Sequence, residues 1–187
     1  MVLSEPVGKK LSFRTKFCYG VGHILNDLCA SMWFTYLLVY LHRVINFSNT
    51  AAGTLLLIGQ VTDAICTPIV GIESDKTGDI KYGRRKIWHL VGVLCVACTF
   101  PFIFNLCIHC DDASDWARFM YYVPFIMIFQ FGWASTQISH LALIPELTDD
   151  DQEKCTLNAI RFFQFQISLS NFKSIKLHNI FYSKLMA

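Results

Sequence analysis

The chain has 187 residues, 53% of them hydrophobic, 14% aromatic and 16% charged, with a formal net charge of +2. Disordered chains are poor in aromatics and rich in charge, and nucleic-acid binders carry a basic patch, so this composition excludes both classes. A soluble domain carries about 25% charge; the shortfall here, with a mean hydropathy of +0.40, points to a lipid bilayer as the partner.

Met1–Lys16 is polar and basic, with Lys9, Lys10, Arg14 and Lys16, and has no short apolar core of the kind a cleavable signal peptide needs. The first apolar window runs over about Phe17–Leu41, and crossing the hydrocarbon core takes about 20 such residues. It carries Tyr19, His23 and Asp27 at i, i+4 and i+8, one helical face, with Asn26 alongside. Asn46-Phe-Ser48 is a glycosylation sequon, but it lies too close to the helix end for modification.

The second window, Thr50–Ile72, places Gln60, Asp63 and Thr67 at i, i+3 and i+7, a polar stripe on an otherwise apolar helix. An Asp near the bilayer centre costs about 2.5–3.5 kcal/mol. Two such acids are bearable when they face a shared hydrophilic cleft. A basic connection follows: Gly71-Ile-Glu-Ser-Asp75-Lys76, then Tyr82-Gly83-Arg84-Arg85-Lys86. In it glycine permits close packing and a tight turn, and Asp and Arg can latch two helix ends together.

The third window, Ile87–Ile108, opens on Trp88 and His89, read as interfacial side chains. Cys107-Ile-His109-Cys110 after it reads as plain loop rather than a metal or dithiol site, and the eight cysteines have no disulfide-framework spacing. The fourth window, Phe119–Ile144, puts Gln130, Gln137 and His140 on one face. Pro101, Pro124 and Pro145 are expected to kink or end helices. A fifth window starts near Leu157, but Arg161, Gln164 and Gln166 interrupt it. Its apolar run ends at Phe172, before Lys173 and Lys176, leaving about 14 residues, too few to span. Residues 1–165 therefore read as a partial helical bundle, and 166–187 as a divergent tail, either unstructured or the product of an alternative message end.

Orientation follows the Lys/Arg bias of the flanks. Lys9, Lys10, Arg14 and Lys16 precede the first span, and Lys76, Lys81, Arg84, Arg85 and Lys86 lie between the second and third. Only Arg43 and Arg118 occupy the alternate connections, the latter beside Asp111, Asp112 and Asp115. The N-terminus and the second-to-third connection are expected to be cytoplasmic. Trp33, Tyr36, Tyr40, Trp88, Trp116, Tyr121 and Tyr122 are expected near helix ends, as an interfacial belt.

The basic connection resembles the Gly-x-x-x-Asp-Arg/Lys-x-Gly-Arg-Arg/Lys motif of the major facilitator superfamily, with extra residues between its halves. Tyr19 to Asp27, Asp63 to Pro68, and Ile144-Pro-Glu-Leu-Thr148 through Glu153-Lys154 to Arg161 resemble that superfamily's glycoside–pentoside–hexuronide:cation symporters. The resemblance covers about Leu11 to Phe163. It implies an all-α membrane protein, a multi-pass transporter of two six-helix halves, of which this chain supplies four helices and an incomplete fifth. It also implies a carrier rather than an enzyme, with no cofactor, no metal and no nucleic acid.

The resemblance assigns Asp27, Gln137 and Arg161 to the substrate, Asp63 and Thr67 to the coupling cation, and Gly71, Asp75, Lys76, Gly83, Arg84 and Arg85 to a cytoplasmic gate. Thr67 and Gln137 stand where the family has acids. One remaining carboxylate favours a proton over sodium, and the lost helix 4 acid weakens a sugar as the solute. Cys29-Ala-Ser-Met-Trp-Phe-Thr-Tyr and Phe129 through His140 look closer to an animal branch of the superfamily. That would imply a lysosomal or related organelle membrane, with the plasma membrane left open, and an amino-acid-like solute such as cysteine. The expected partners are a small solute, the cation, the bilayer, and a missing C-terminal half. The rival reading is a non-transporting truncated form that at most binds the full-length protein.

Overall fold

A computed structural model of the chain describes residues 10–78, 83–108 and 113–164, together with Gln166 and Ser170. Lys9, Lys81, Tyr82, His109, Cys110, Asp111, Asp112, Phe172, Lys173 and Lys176 lie outside the described residues, as does most of the tail. Every regular element among the described residues is an α-helix: α1 Phe13–Val21, α2 Ile24–Arg43, α3 Asn49–Lys76, α4 Arg84–Ile103 and α5 Asp115–Leu147, then α6 over residues 151–164. The chain is an all-α membrane protein, and these helices form part of a bundle.

Among the described residues three segments are long and apolar enough to cross a bilayer: Phe13–Arg43, Asn49–Lys76 and Arg84–Ile103. The fourth expected span falls on α5, which at 33 residues is the longest helix, about 50 Å at 1.5 Å per residue.

The element boundaries differ from the hydropathy windows for local reasons. The first span is two helices, because the backbone breaks at Gly22 and His23. Gly22 N–H still donates to Cys18 O, but His23 N–H donates to Gly20 O, one residue too near for an α-helix. Ser48 caps α3 by accepting from Ala51 N–H at 3.2 Å, and Asn46 makes the preceding turn at φ +64°, a left-handed conformation that Asn tolerates. The sequon is thus absorbed into a turn and a helix cap.

At its other end α3 runs to Lys76, and α4 begins at Arg84, so most of the expected connection is helical. Gly83 turns the chain into α4 with φ +93°, which favours glycine. Among the described residues no proline ends a helix: α3 contains Pro68, α4 contains Pro101 and α5 contains Pro124 and Pro145. The fifth helix starts at residue 151 rather than near Leu157. Asp150 accepts from Gln152 N–H at 2.9 Å, and polar caps of this kind are invisible to an apolar window.

The chain divides into two compact units, Met32–Leu141 and the pair Met1–Ser31 with Ala142–Ala187. In the first, Trp33, Leu37, Leu41, Leu55, Tyr122, Ile126 and Phe129 are fully buried. Trp33 stacks on Phe129 at 5.2 Å, and Tyr122 meets Phe47 edge-on at 5.9 Å while its hydroxyl donates to Asn105 O. Trp33 and Tyr122 are core residues, not members of an interfacial belt; exposed Trp116 at the start of α5 does have a belt position. Where α4 meets α5, a Cβ on Gly132 would lie 2.9 Å from Gly92 O, and one on Gly92 would lie 2.6 Å from Gly132 O. These backbones touch because neither residue has a side chain. In the second unit α1 approaches α6, where a Cβ on Gly20 would lie 2.6 Å from Gln164 Nε2.

Candidate functional site

The break in the first span builds the surroundings of Asp27. A helix that restarts at Ile24 places Asp27 in its first turn, where unpaired N–H dipoles favour a carboxylate. His23 Nε2 lies 3.5 Å from Asp27 Oδ1, and Ser31 Oγ donates to Asp27 O at 2.9 Å. Tyr19, His23, Asn26 and Asp27 are all buried, so the polar stripe legible in the sequence faces inward. Arg161 on α6 acts electrostatically on both Tyr19 and Asp27. The structure thus brings together two of the three expected substrate residues.

At the polar end of α1, Lys16 Nζ approaches Glu153 Oε2 to 2.6 Å, and both side chains are largely buried. Sequence reading missed this pair; it treated Lys16 as a topology signal, and nothing in the spacing links it to Glu153. Outside the spans, Lys154 Nζ donates to Asp151 Oδ1 at 2.9 Å. That hydrogen bond, with the Lys charge, holds the Asp151 carboxyl below its ordinary range.

Asp63 sits differently. It is half-buried on α3, with Thr67 Oγ1 at 3.4 Å from Oδ1, a long contact, while Gln60 one turn earlier is exposed. Val61, Ile65, Ile69 and Ile72 on the same helix are exposed as well. The expected cation residues are adjacent, then, on a thinly covered helix.

The basic connection between α3 and α4 does make a contact, of a different composition from the one expected. Arg85 donates to Asp75 Oδ1 and, at 2.6 Å, to Ser74 Oγ, tying the end of α3 to the start of α4. Ser74 was not anticipated. Lys76 instead meets Glu73 at 3.2 Å. A Cβ on Gly71 would meet nothing within 4 Å, so among the described residues this glycine serves no close packing. Trp88 Nε1 donates to Thr77 Oγ1 at 2.8 Å, and Ser135 Oγ on α5 donates to Trp88 O at 2.8 Å. Trp88 therefore links three helices at this end.

On α5, Gln137 Oε1 accepts from Trp133 Nε1 at 3.1 Å, and Gln137 belongs to the unit of residues 32–141. Gln130 and His140 are buried, and the His140 ring lies 5.8 Å from that of His89. His89 is therefore packed against a second imidazole, which its place beside Trp88 did not foretell. Cys107, expected to be a plain loop residue, is disulfide-bonded.

A family model described as MFS/sugar transport protein matches residues 18–170. The human major facilitator superfamily domain-containing protein 12 is 58% identical over 162 residues, 85% of this chain and 34% of the relative. An uncharacterized symporter of Synechocystis is 35% identical over 156 residues, 82% of the chain and 28% of the relative. The isoprimeverose transporter of Lactiplantibacillus pentosus is 27% identical over 169 residues, 89% of the chain and 34% of the relative. The chain spans about a third of the length of these relatives.

Proposed function

Because the chain belongs to the MFS/sugar transport protein family, we propose that it forms part of a secondary transporter that carries a small polar solute by alternating access, coupled to a cation. The observation that carries this reading is the buried Asp27 carboxylate, set at a helix start in mid-span, with His23 at 3.5 Å and Arg161 in electrostatic reach. Discontinuous helices whose ends point at a solute are how many carriers bind at the midplane. Opposite charges on neighbouring helices suit a zwitterion: its ammonium toward Asp27, its carboxylate toward Arg161.

Asp63, with Thr67, is the proton site. A lone carboxylate beside one hydroxyl makes a poor sodium cage, since sodium needs several oxygens, whereas a proton needs one. The Asp75–Arg85–Ser74 contact holds the gate, on the cytoplasmic side with the N-terminus. The solute is a small amino-acid-like molecule such as cysteine, or a sugar, and the membrane that of a lysosome or related organelle. The protein is a carrier, not an enzyme.

The test is a chimera in which residues 10–164 replace the matching third of the human relative. In vesicles it should accumulate a candidate solute, cysteine or a sugar, when a pH gradient is imposed. A folded, membrane-inserted chimera that accumulates none of them under proton or sodium gradients would refute the proposal.

A further inference from the structure

α2 ends at Arg43 and α3 begins at Asn49, and the two helices line one cleft of about 440 Å³, within the roughly 300–1,000 Å³ range of small-ligand sites. Its walls are Leu38 and Val39 of α2 and Gly53 and Leu56 of α3. The space at that wall is open: a Cβ on Gly53 would meet nothing within 4 Å. Leu38 and Val39 are exposed, so the slot opens sideways, toward the acyl chains around an apolar span. Polar groups gather at one end only, where His42, Arg43 and Asn49 form the mouth. Leu56 lies seven residues beyond Asn49, about 10 Å along α3 at 1.5 Å per residue. The result is an apolar slot beneath a cationic mouth, at the opposite end of α3 from the Asp75–Arg85 contact.

We infer that this cleft binds an anionic phospholipid of the leaflet facing away from that contact, with its phosphate on Arg43 and an acyl chain in the slot. Among the described residues the Arg43 side chain has no hydrogen bond or ion pair. His42 is engaged elsewhere, its Nδ1–H donating to Phe47 O at 2.9 Å. Among the described residues no acid lines the cleft, so nothing there would meet the ammonium of a zwitterionic headgroup. A guanidinium suits the bidentate contact that a phosphate offers, and Asn49 adds amide N–H donors beside it. Arginines at the ends of spans reach the depth of the headgroups, and basic pockets between spans bind anionic ones. A protein segment over the cleft would have to bring its own acid or leave Arg43 buried and unpaired, which is expensive; a lipid brings the charge and the chain together. The site uses none of the residues assigned to solute, proton or gate.

Photolabelling of the whole 187-residue chain tests this, in phosphatidylcholine vesicles doped with a phosphatidylglycerol that carries a diazirine on its acyl chain. Peptide mass spectrometry should find label on Leu38, Val39 and Leu56. Unlabelled phosphatidylglycerol should displace it, whereas a diacylglycerol with the same chains should not. Arg43→Gln should lower that label about tenfold, as loss of one charge-assisted contact does, and leave label on exposed Leu94 of α4 unchanged. Gly53→Leu fills the slot with Arg43 in place, should act likewise, and is the second variant if the first does not fold. The same labelling in the chimera, where the rest of the bundle is present, separates lipid from protein. Label that vanishes there assigns the cleft to a covering helix and overturns the proposal. Displacement by diacylglycerol as readily as by phosphatidylglycerol would overturn it too, as would label that neither variant lowers.

Discussion

Asp27 and Asp63 are both acids in apolar spans, but their surroundings are opposite. Asp27 is buried with an imidazole at 3.5 Å, a helix start behind it and a guanidinium acting on it from α6. Asp63 is half-buried with one long hydroxyl contact, on a helix whose neighbouring Gln60, Val61 and Ile65 are exposed. Apolar patterning makes the two equivalent; partners do not. An acid whose charge is already matched in the fold suits recognition of a charged group. An acid with little to match it suits a proton that comes and goes.

The largest expected effect separates the two directly. In the chimera, Asp27→Asn should weaken solute binding at least about 100-fold, close to 3 kcal/mol, as removal of one member of a buried charge pair does. Arg161→Gln should do the same. Because the two act on each other, the double variant should lose less than the sum of the singles; binding isotherms of all four forms check this, and strict additivity would dissolve the pair.

Asp63→Asn should leave binding and thermal stability nearly intact but uncouple the carrier. For one-proton coupling, a gradient of about one pH unit drives about tenfold accumulation, and in the variant the ratio should fall to about one while solute exchange persists. Steady-state uptake with and without the gradient decides it. Normal gradient-driven accumulation would move the proton site elsewhere.

A smaller effect is positional. With native cysteines removed, single cysteines at Gln60 and His23 should differ in labelling by a small water-soluble maleimide, the first at least several-fold faster. Equal rates would erase the contrast between the two helices. Single cysteines at Lys10 and Ser114 should also label from opposite faces of the membrane, which checks the orientation drawn from the Lys/Arg bias.

The smallest effect concerns Asp151. Its carboxyl is held below its ordinary range by Lys154, so any stability it adds is present above the ordinary carboxylate range and fades as pH falls through its lowered value. Asp151 is open to solvent and Lys154 partly so, where ion pairs contribute little. Asp151→Asn should leave the pH-dependence of thermal unfolding unchanged within error.

Much of this was legible because hydrophobic length and helical spacing report directly on spans and faces. Tyr19, His23 and Asp27 read as one polar face, and all three are buried; Asp75 with an arginine read as a latch, and Arg85 supplies it. What was hidden depends on contacts between distant segments. Trp33 looked interfacial because aromatic residues near the ends of an apolar window resemble a belt; only the packing of Phe129 reveals it as core. The break at Gly22 was lost because a hydropathy average runs through glycine. The start of α6 was missed because its first turns, Asp151-Gln-Glu-Lys, are polar. Ser74, Lys16 and Glu153 carried no signal that spacing could express.

The meeting of Gly92 and Gly132 has a consequence for how this sequence tolerates variation. Every replacement at either position adds at least a methyl group, and that carbon would fall within 3 Å of the facing backbone oxygen. Backbone cannot step aside as a flexible side chain does. In a saturation scan scored by surviving protein, these two positions should reject alanine and serine almost as sharply as leucine, whereas Gly53 and Gly71, with open space around them, should accept the small residues. Inherited changes at the α4–α5 crossing would then act by removing the protein rather than by altering a binding site.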